Sequence, residues 1–345
     1  MLTVLVTGGA GYIGSHICMS LVEKGISVYA IDSYTNSDEK IFNIINNYFD
    51  SNKVKYFNID IREKDAINKV FEHAILNNRK ICSVIHLAGL KSVNESIIDP
   101  LKYWDFNVRG TINLLKTMQS FDCTNIVFSS TATIYGNDYS FPIKEDLKKN
   151  PISVYGRTKL AVEQILNDVY NSRNCEWRIA ILRYFNPIGA HPSGLIGESP
   201  KSNKNNLFPK LCEVAYGISN NLEIYGNDWP TSDGTAIRDY IHIMDITDAH
   251  ISVLDFLESG PPQVVELNLG SGEGTSVLQL IKIFEVSNNV KINYKFRKRR
   301  KGDVAFLTAS IQKAKKVLNW EPLRSKKQMC KDGWNWYLKT LVDKF

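Results

Sequence analysis

The sequence predicts an α/β protein, a doubly wound parallel sheet followed by a smaller mixed α/β C-terminal domain. Three observations carry this. Short apolar runs alternate with helix-spaced segments over the first half of the chain. A glycine-rich loop joins the first run to the first helical segment. After about Asn186 the texture changes, with Pro187–Pro209 and then Tyr225–Thr235 rich in Gly, Pro, Ser and Asn. Long polar loops following a regular sheet are usually binding loops.

Leu2–Thr7 is too short for a helix and reads as a strand. Tyr12–Lys24 has helical spacing through Ile13, Ile17 and Leu21 and stops at Gly25. Ser27–Ile31 is apolar again and ends at Asp32. Val54–Asn58, Ser83–Leu87 and Asn125–Ser129 repeat the strand pattern, with helices expected over Lys64–Leu76 and Leu101–Ser120. A helix near Tyr155–Tyr170 precedes a further strand, Ile179–Arg183, and later helices are expected over Ile246–Glu258 and Lys327–Leu341. The expected division is a first domain over 1–185, to which 237–258 returns, and a second over 186–345. The site is expected in the cleft between them, at the carboxyl ends of the strands.

The chain has 345 residues, 43% hydrophobic and 23% charged. That is enough to bury a core, and it excludes collagen-like and disordered classes. No apolar run reaches the roughly 18 residues a membrane span needs. The apolar stretch Leu2–Val6 is too short for a signal peptide and runs straight into glycines. A cytoplasmic protein is expected, with no membrane partner. The net charge of +6 is spread along the chain, and its one dense cluster is Arg297-Lys298-Arg299-Arg300-Lys301. A local anion site or a solvated turn fits that cluster better than nucleic acid does. No two of the six cysteines form a C-x-x-C pair. Buried free thiols are therefore expected rather than a disulfide framework, and no metal.

The loop Thr7-Gly8-Gly9-Ala10-Gly11-Tyr12-Ile13-Gly14 carries the strongest early signal. Gly8, Gly11 and Gly14 let the backbone turn tightly, approach a pyrophosphate and seat the helix on the sheet. The helix N-terminus then faces the phosphates. This is a Rossmann-type dinucleotide signature. Asp32 ends the second strand at the expected separation and suits the adenosine ribose hydroxyls. It would repel a 2′-phosphate, and Ser33 offers no compensating cation, so NAD is expected over NADP.

Tyr155-Gly156-Arg157-Thr158-Lys159 is the second signal. Tyr155 and Lys159 stand four apart on a predicted helix and share one face. A nearby ammonium favours the phenolate, so the pair suits proton transfer at a sugar or alcohol hydroxyl. With the glycine loop, it resembles the short-chain dehydrogenase/reductase superfamily. Thr131, just after a central strand, is the best hydroxyl to bond the reacting oxygen.

The segments GGAGYIGSH, HLAGLKSV, SSTATIYG, YGRTKLAVEQ, LRYFNPIGAHPSG, GNDWPTSDGTAIRDYIHIMD and RRKGD occur in this order. Together, over nearly the whole chain, they resemble the UDP-glucose 4-epimerases, an extended branch of that superfamily. The resemblance implies Tyr155 as acid/base, Lys159 as its electrostatic partner and holder of the nicotinamide ribose, and Thr131 where the family usually has serine. It implies NAD contacts at Gly8, Gly11, Tyr12, Ile13, Gly14, Asp32, Asn36, Asp60, Ile61, Leu87, Ala88, Gly89, Lys91, Asn107 and Phe185. It implies a UDP-sugar held by Asn186, Asn206, Leu207, Tyr225, Arg238, Arg300 and Asp303, with Leu307 at the position that sets sugar size. Leucine there, smaller than the family's tyrosine, is expected to admit a 2-acetamido group, and Phe306 beside it is the alternative lining residue. A homodimer through helices near Leu101–Ser120 and Tyr155–Tyr170 is implied, with Trp104, Leu115 and Met118 apolar enough for that or for internal burial.

Rival readings are weaker. A nucleotide-sugar 4,6-dehydratase needs acid/base groups beside the catalytic hydroxyl, commonly Asp-Glu, and Ala132-Thr133 stand there. A UDP-glucuronate decarboxylase usually carries a glutamate in the same stretch, and none is present. A dinucleotide sensor on this fold typically lacks the tyrosine.

Overall fold

The computed structural model describes residues 2–50, 52–137, 141–172, 175–199, 206–300 and 302–342. Its strands are β1 (Thr3–Thr7), β2 (Ser27–Asp32), β3 (Val54–Asn58), β4 (Ser83–His86), β5 (Asn125–Thr131), β6 (Arg178–Tyr184) and β7 (Asn186–Ile188). They continue as β8 (Leu222–Tyr225), β9 (Ile237–His242), β10 (Gln263–Leu269), β11 (Gly274–Ser276), β12 (Tyr294–Arg297) and β13 (Phe306–Leu307). The helices are α1 (Tyr12–Glu23), α2 (Lys40–Tyr48), α3 (Lys64–Leu76), α4 (Val93–Ile98), α5 (Pro100–Trp104) and α6 (Gly110–Ser120). Then come α7 (Val154–Tyr170), α8 (Leu207–Tyr216), α9 (Ile243–Ser259), α10 (Val277–Asn288), α11 (Gln312–Leu318) and α12 (Lys326–Val342). Two compact units result. Residues 1–136, 148–183 and 247–267 form the first, and 137–147, 184–246 and 268–345 form the second.

The first unit is built on a seven-stranded sheet in the order β3-β2-β1-β4-β5-β6-β10. β1 pairs in parallel with β2 on one side and β4 on the other. The chain therefore starts in mid-sheet, winds one way and then the other. The loops after β1 and β4 open side by side at the switch point, where such sheets bind ligands. Every residue of β1 is buried, as in a parallel strand covered on both faces. Leu5, Ile31, Val84, Ile126, Phe128 and Ile181 lie in its apolar core.

The expected helix over Leu101–Ser120 is interrupted. Asp99 caps α5 by accepting from the Lys102 amide at 3.2 Å, with Pro100 at the first helical position. A π-helical turn over Asp105–Arg109 follows, and only then α6. At Gly110 the helix comes so close to its neighbour that a Cβ would lie 2.6 Å from Ile61. Leu115 and Met118 are buried in this unit's own core, whereas Trp104 is 39% exposed. Among the cysteines, Cys18, Cys123, Cys212 and Cys330 are buried free thiols, but Cys175 is half-buried and Cys82 exposed. Cys82 precedes β4 and turns its thiol to the Lys80 carbonyl at 3.3 Å, outside the core.

In the second unit β9 is central. It pairs antiparallel with β11 and in parallel with β7 and β13, while β8 and β12 form a separate parallel pair. Residues 237–246 belong here because β9 anchors this sheet, and 247–267 return to the first unit. Ser276 and Gln279 close a capping box at the start of α10. Ile188, Phe208, Leu222, Tyr240, Leu280 and Phe284 contribute to the core. Among the described residues no helix is long and apolar enough to cross a membrane.

Candidate active site

The glycine loop is shaped by close approach. Gly8 has φ +69°, and a Cβ on it would lie 2.8 Å from the Ala88 amide nitrogen. A Cβ on Gly14 would lie 2.2 Å from the Gly8 carbonyl oxygen. Gly11 is the N-cap of α1, with no side-chain cap bond, and Tyr12 and Ile13 open the first turn. The resulting cradle is backbone-lined and sits at the positive end of a helix, so it fits a dinucleotide pyrophosphate.

Asp32 is held at the edge of this loop. Its Oδ2 accepts from the Ala10 amide at 3.0 Å, and its Oδ1 from the Tyr34 amide at 2.9 Å and the Ser37 hydroxyl at 2.7 Å. Asn36 lies exposed in the same turn. On the β4 side, the Leu87 and Ala88 amides donate to Thr7 Oγ1 at 3.2 and 3.1 Å. His86 bridges Thr7 at 2.7 Å and Thr111 at 2.9 Å, and burial pushes it down to about 3, so it is neutral.

A Cβ on Gly89 would lie 2.9 Å from Asn107 Oδ1 and 3.8 Å from Lys159 Nζ, so these three adjoin. Asn107, in the π-helical turn, clasps the Leu90 backbone at 2.8 and 3.1 Å and donates to Thr158 Oγ1 at 3.0 Å. Its amide is thus committed to joining the β4 loop to α7. Lys91 is exposed. Asp60 receives the Arg62 guanidinium at 3.0 and 2.6 Å, which holds its carboxyl below the usual range. Arg62 also bonds Asp105 at 2.7 Å and lies 3.6 Å over the Phe106 ring, while Ile61 is buried against Gly110.

Ser153 caps α7 by accepting from the Gly156 amide at 3.0 Å, which sets the first turn that carries Tyr155. The Thr131 hydroxyl stands close enough to the Tyr155 phenol to pull its pKa down. Lys159 Nζ donates to the Ser129 carbonyl at 2.8 Å and lies 4.8 Å from the Phe128 ring. Burial pushes the phenol up to about 12, against the pull of Thr131, and pushes the ammonium down to about 8, against Glu163. The expected lowering of the phenol by Lys159 is therefore not a property of the protein alone, because desolvation dominates both groups. Ala132 and Thr133, directly after Thr131, bring no acid or base, and Thr133 is turned back onto Thr131 at 3.2 Å.

Sequence reasoning passed over Ser129, Ser130 and Glu163. Ser130 Oγ donates to Glu163 Oε1 at 2.5 Å, and Arg183 forks onto Glu163 at 3.0 and 2.7 Å. The four-residue spacing of Tyr155, Lys159 and Glu163 was the available signal.

The second unit holds the substrate candidates other than Thr131, divided among the β9 sheet, the β8–β12 pair and the start of α8. The Arg300 guanidinium lies 3.7 Å over the Tyr225 ring. Arg238 pairs with Asp303 at 3.7 Å and donates to the Val304 carbonyl at 2.9 Å. Leu307 stands opposite Arg238 in the β13–β9 register, while the Phe306 ring packs on Phe141, centroids 5.1 Å apart. Phe185 is buried, its amide bonded to the Leu269 carbonyl at 3.0 Å. Asn186 opens β7, and its buried Oδ1 has no partner among the described residues, as a ligand-facing amide would. Asn206 and Leu207 begin α8, where the Asn206 amide donates to Glu198 at 2.6 Å. The basic cluster is largely dispersed. Arg297 is spent on Glu223 at 2.8 Å, and Arg299 on Asp228 at 2.8 Å and over the Trp229 ring. Lys301 lies outside the described residues.

Proteins similar to this chain over nearly its whole length place it in a family. A family model described as GDP-mannose 4,6 dehydratase matches residues 5–333. UDP-glucose 4-epimerase 2 of Arabidopsis thaliana is 43% identical over 336 residues, covering 97% of this chain and 94% of the plant protein. The UDP-glucose 4-epimerase of Stenotrophomonas maltophila, solved with NAD and formylated UDP-arabinopyranose, superposes with a TM-score of 0.94 at 40% identity, covering 99% of this chain and 100% of that one. The Bifidobacterium longum enzyme, solved with NAD+ and UDP, gives a TM-score of 0.91 at 39% identity, covering 98% and 99%. The chain belongs to this family of extended short-chain dehydrogenase/reductases and, within it, to the UDP-glucose 4-epimerases.

Proposed function

We propose that the chain is an NAD-dependent epimerase that interconverts UDP-glucose and UDP-galactose at carbon 4. The observation that carries this is the Thr131 hydroxyl acting on the Tyr155 phenol at the head of α7, with Lys159 on the same helical face and only Ala132-Thr133 directly after Thr131. Proton transfer at one sugar hydroxyl is then available, and the extra proton transfers of a dehydration are not.

In this reading the glycine loop holds the NAD pyrophosphate and Asp32 its adenosine ribose. When bound, NAD supplies a hydride acceptor at sugar carbon 4 and returns the hydride, so the overall reaction is redox-neutral. Tyr155 takes the 4-hydroxyl proton and gives it back. Thr131 orients that oxygen, and Lys159 holds positive charge beside the phenol. Arg238 and Arg300 grip the UDP pyrophosphate by charge-assisted bonds, leaving the sugar free to turn its other face. Asn186 offers its side-chain carbonyl oxygen, which has no partner among the described residues, to the substrate.

Leucine at 307, smaller than the tyrosine of the family, supports acceptance of 2-acetamido sugars, and the Phe306 ring packs on Phe141. A homodimer through α5–α6 and α7 belongs to this reading, with exposed Trp104 at its surface. Chromatography after incubation with UDP-galactose and, separately, UDP-N-acetylgalactosamine tests it. Both gluco products are expected. Conversion of neither by NAD-loaded protein would overturn the epimerase reading.

A further inference from the structure

Three consecutive residues at the end of β5 each hold one residue of a single row on α7. Thr131 acts on the Tyr155 phenol, the Ser129 carbonyl accepts from Lys159, and Ser130 donates to Glu163. Tyr155, Lys159 and Glu163 are spaced by four, so they line one helical face. The first two contacts belong to the chemistry proposed above, and the third does not. Glu163 is 2% exposed, where an ionised carboxylate survives only if it is paired and hydrogen-bonded.

Arg183 of β6 supplies the pairing. It is fully buried, and it forks onto both Glu163 oxygens. It also reaches Glu266 at 2.7 Å, and it donates to the Tyr135 hydroxyl at 2.9 Å. Glu266 in turn pairs with Lys149 at 3.1 Å. Tyr135 ends the 3₁₀ turn, Ala132–Tyr135, that follows Thr131. The segment carrying Thr131 is thus tied at both ends, through Ser130 and Tyr135, to one buried ion pair.

We propose that Glu163 is a positioning residue for the epimerisation. It locks the Ser129–Tyr135 segment against α7 and keeps the Lys159 ammonium charged beside Tyr155. This rests on the epimerase reading above. The titratable groups acting on Lys159 are Glu163 from its own helix and His86 from β4, with the Phe128 ring from β5 and Tyr155 one turn earlier on the same helix. His86 is neutral, so Glu163 is the anion in this set. It opposes the burial that brings Lys159 down to about 8.

Glu163→Gln keeps the shape and removes the charge. The holoenzyme variant is compared with wild type by its pH profile of UDP-galactose turnover. A second readout is the ultraviolet phenolate titration of Tyr155, taken as the difference from the matching Tyr155→Phe protein. We expect kcat to fall about tenfold with KM changed less than about twofold, and the alkaline limb of kcat to move down by about one pH unit. The Tyr155 midpoint moves up. Glu163→Asp, which restores the charge, recovers part of both. If Glu163→Gln strands Arg183 and fails to fold, Ser130→Ala cuts the tie without stranding a charge and lowers kcat about threefold. A folded Glu163→Gln protein with the wild-type limb and midpoint overturns the proposal, as does unchanged kcat in Ser130→Ala. The wild type is assayed first. If it leaves UDP-galactose unchanged, the epimerase reading falls and the inference with it, which separates that failure from failure of the inference alone.

Discussion

Lys159 Nζ donates to the Ser129 carbonyl at 2.8 Å, which fixes the ammonium on the strand that carries Thr131. That contact orders the catalytic helix against β5, but it does not by itself make Tyr155 a base. With burial holding the phenol at about 12 and the lysine at about 8, the neutral phenol dominates at pH 7 in the protein alone.

The Tyr155 midpoint should therefore fall when NAD binds, because the positively charged nicotinamide adds the opposing field the chain lacks. An ultraviolet phenolate titration with and without NAD, against Tyr155→Phe as background, checks this. The same Tyr155→Phe protein should lose at least about a hundredfold in kcat while still binding NAD. Near-full turnover would remove Tyr155 from its role.

Cofactor binding should be sensitive to single methyl groups in the glycine loop. Gly14→Ala places a carbon 2.2 Å from the Gly8 carbonyl oxygen, so the helix must shift off the loop. NAD affinity, read by fluorescence titration of the apoprotein, should drop about tenfold or more. Asp32→Asn should instead narrow the preference for NAD over NADP about tenfold, since it removes the charge that repels a 2′-phosphate.

Leu307→Tyr should close the sugar pocket selectively. Turnover of UDP-N-acetylgalactosamine should fall about tenfold, and that of UDP-galactose by less than about threefold. An equal loss on both substrates would take Leu307 away from the sugar.

His86 predicts an acid-sensitive first unit. Its folded value of about 3 lies far below the ordinary histidine value, so the unfolded chain binds the extra proton between about 6.5 and 3. The contribution is fully present above pH 6.5 and is lost as pH falls through that window. Denaturant unfolding across it should show stability rising with pH. His86→Gln, which keeps partners for Thr7 and Thr111, should flatten the slope by about one proton.

The parts of this architecture that depend on local pattern were legible in the chain. The glycine loop, Asp32, the strand series and the Tyr155/Lys159 pair sit where spacing and periodicity put them, since each is decided within one strand–turn–helix. What depended on partners distant in sequence was not. Nothing local marks the π-helical turn at Asp105–Arg109, whose purpose appears only when Asn107 meets Leu90 and Thr158. Nor does anything local assign segment 137–147 to the second unit, where Asn268 bonds Glu145 and Ile143. The basic run at Arg297–Lys301 read as a patch because its acidic partners, Glu223 and Asp228, lie some seventy residues earlier. Glu163 was half legible: its spacing from Lys159 was there to see, but its pairing with Arg183 and Ser130 was not.

The proposed epimerisation removes one hydrogen from sugar carbon 4 and returns it to the same carbon. UDP-galactose deuterated at that carbon, incubated with the protein in ordinary water, tests it most directly. UDP-glucose that keeps the deuterium at carbon 4 is expected. UDP-glucose carrying solvent hydrogen there, or a 4-keto-6-deoxy product, would contradict it.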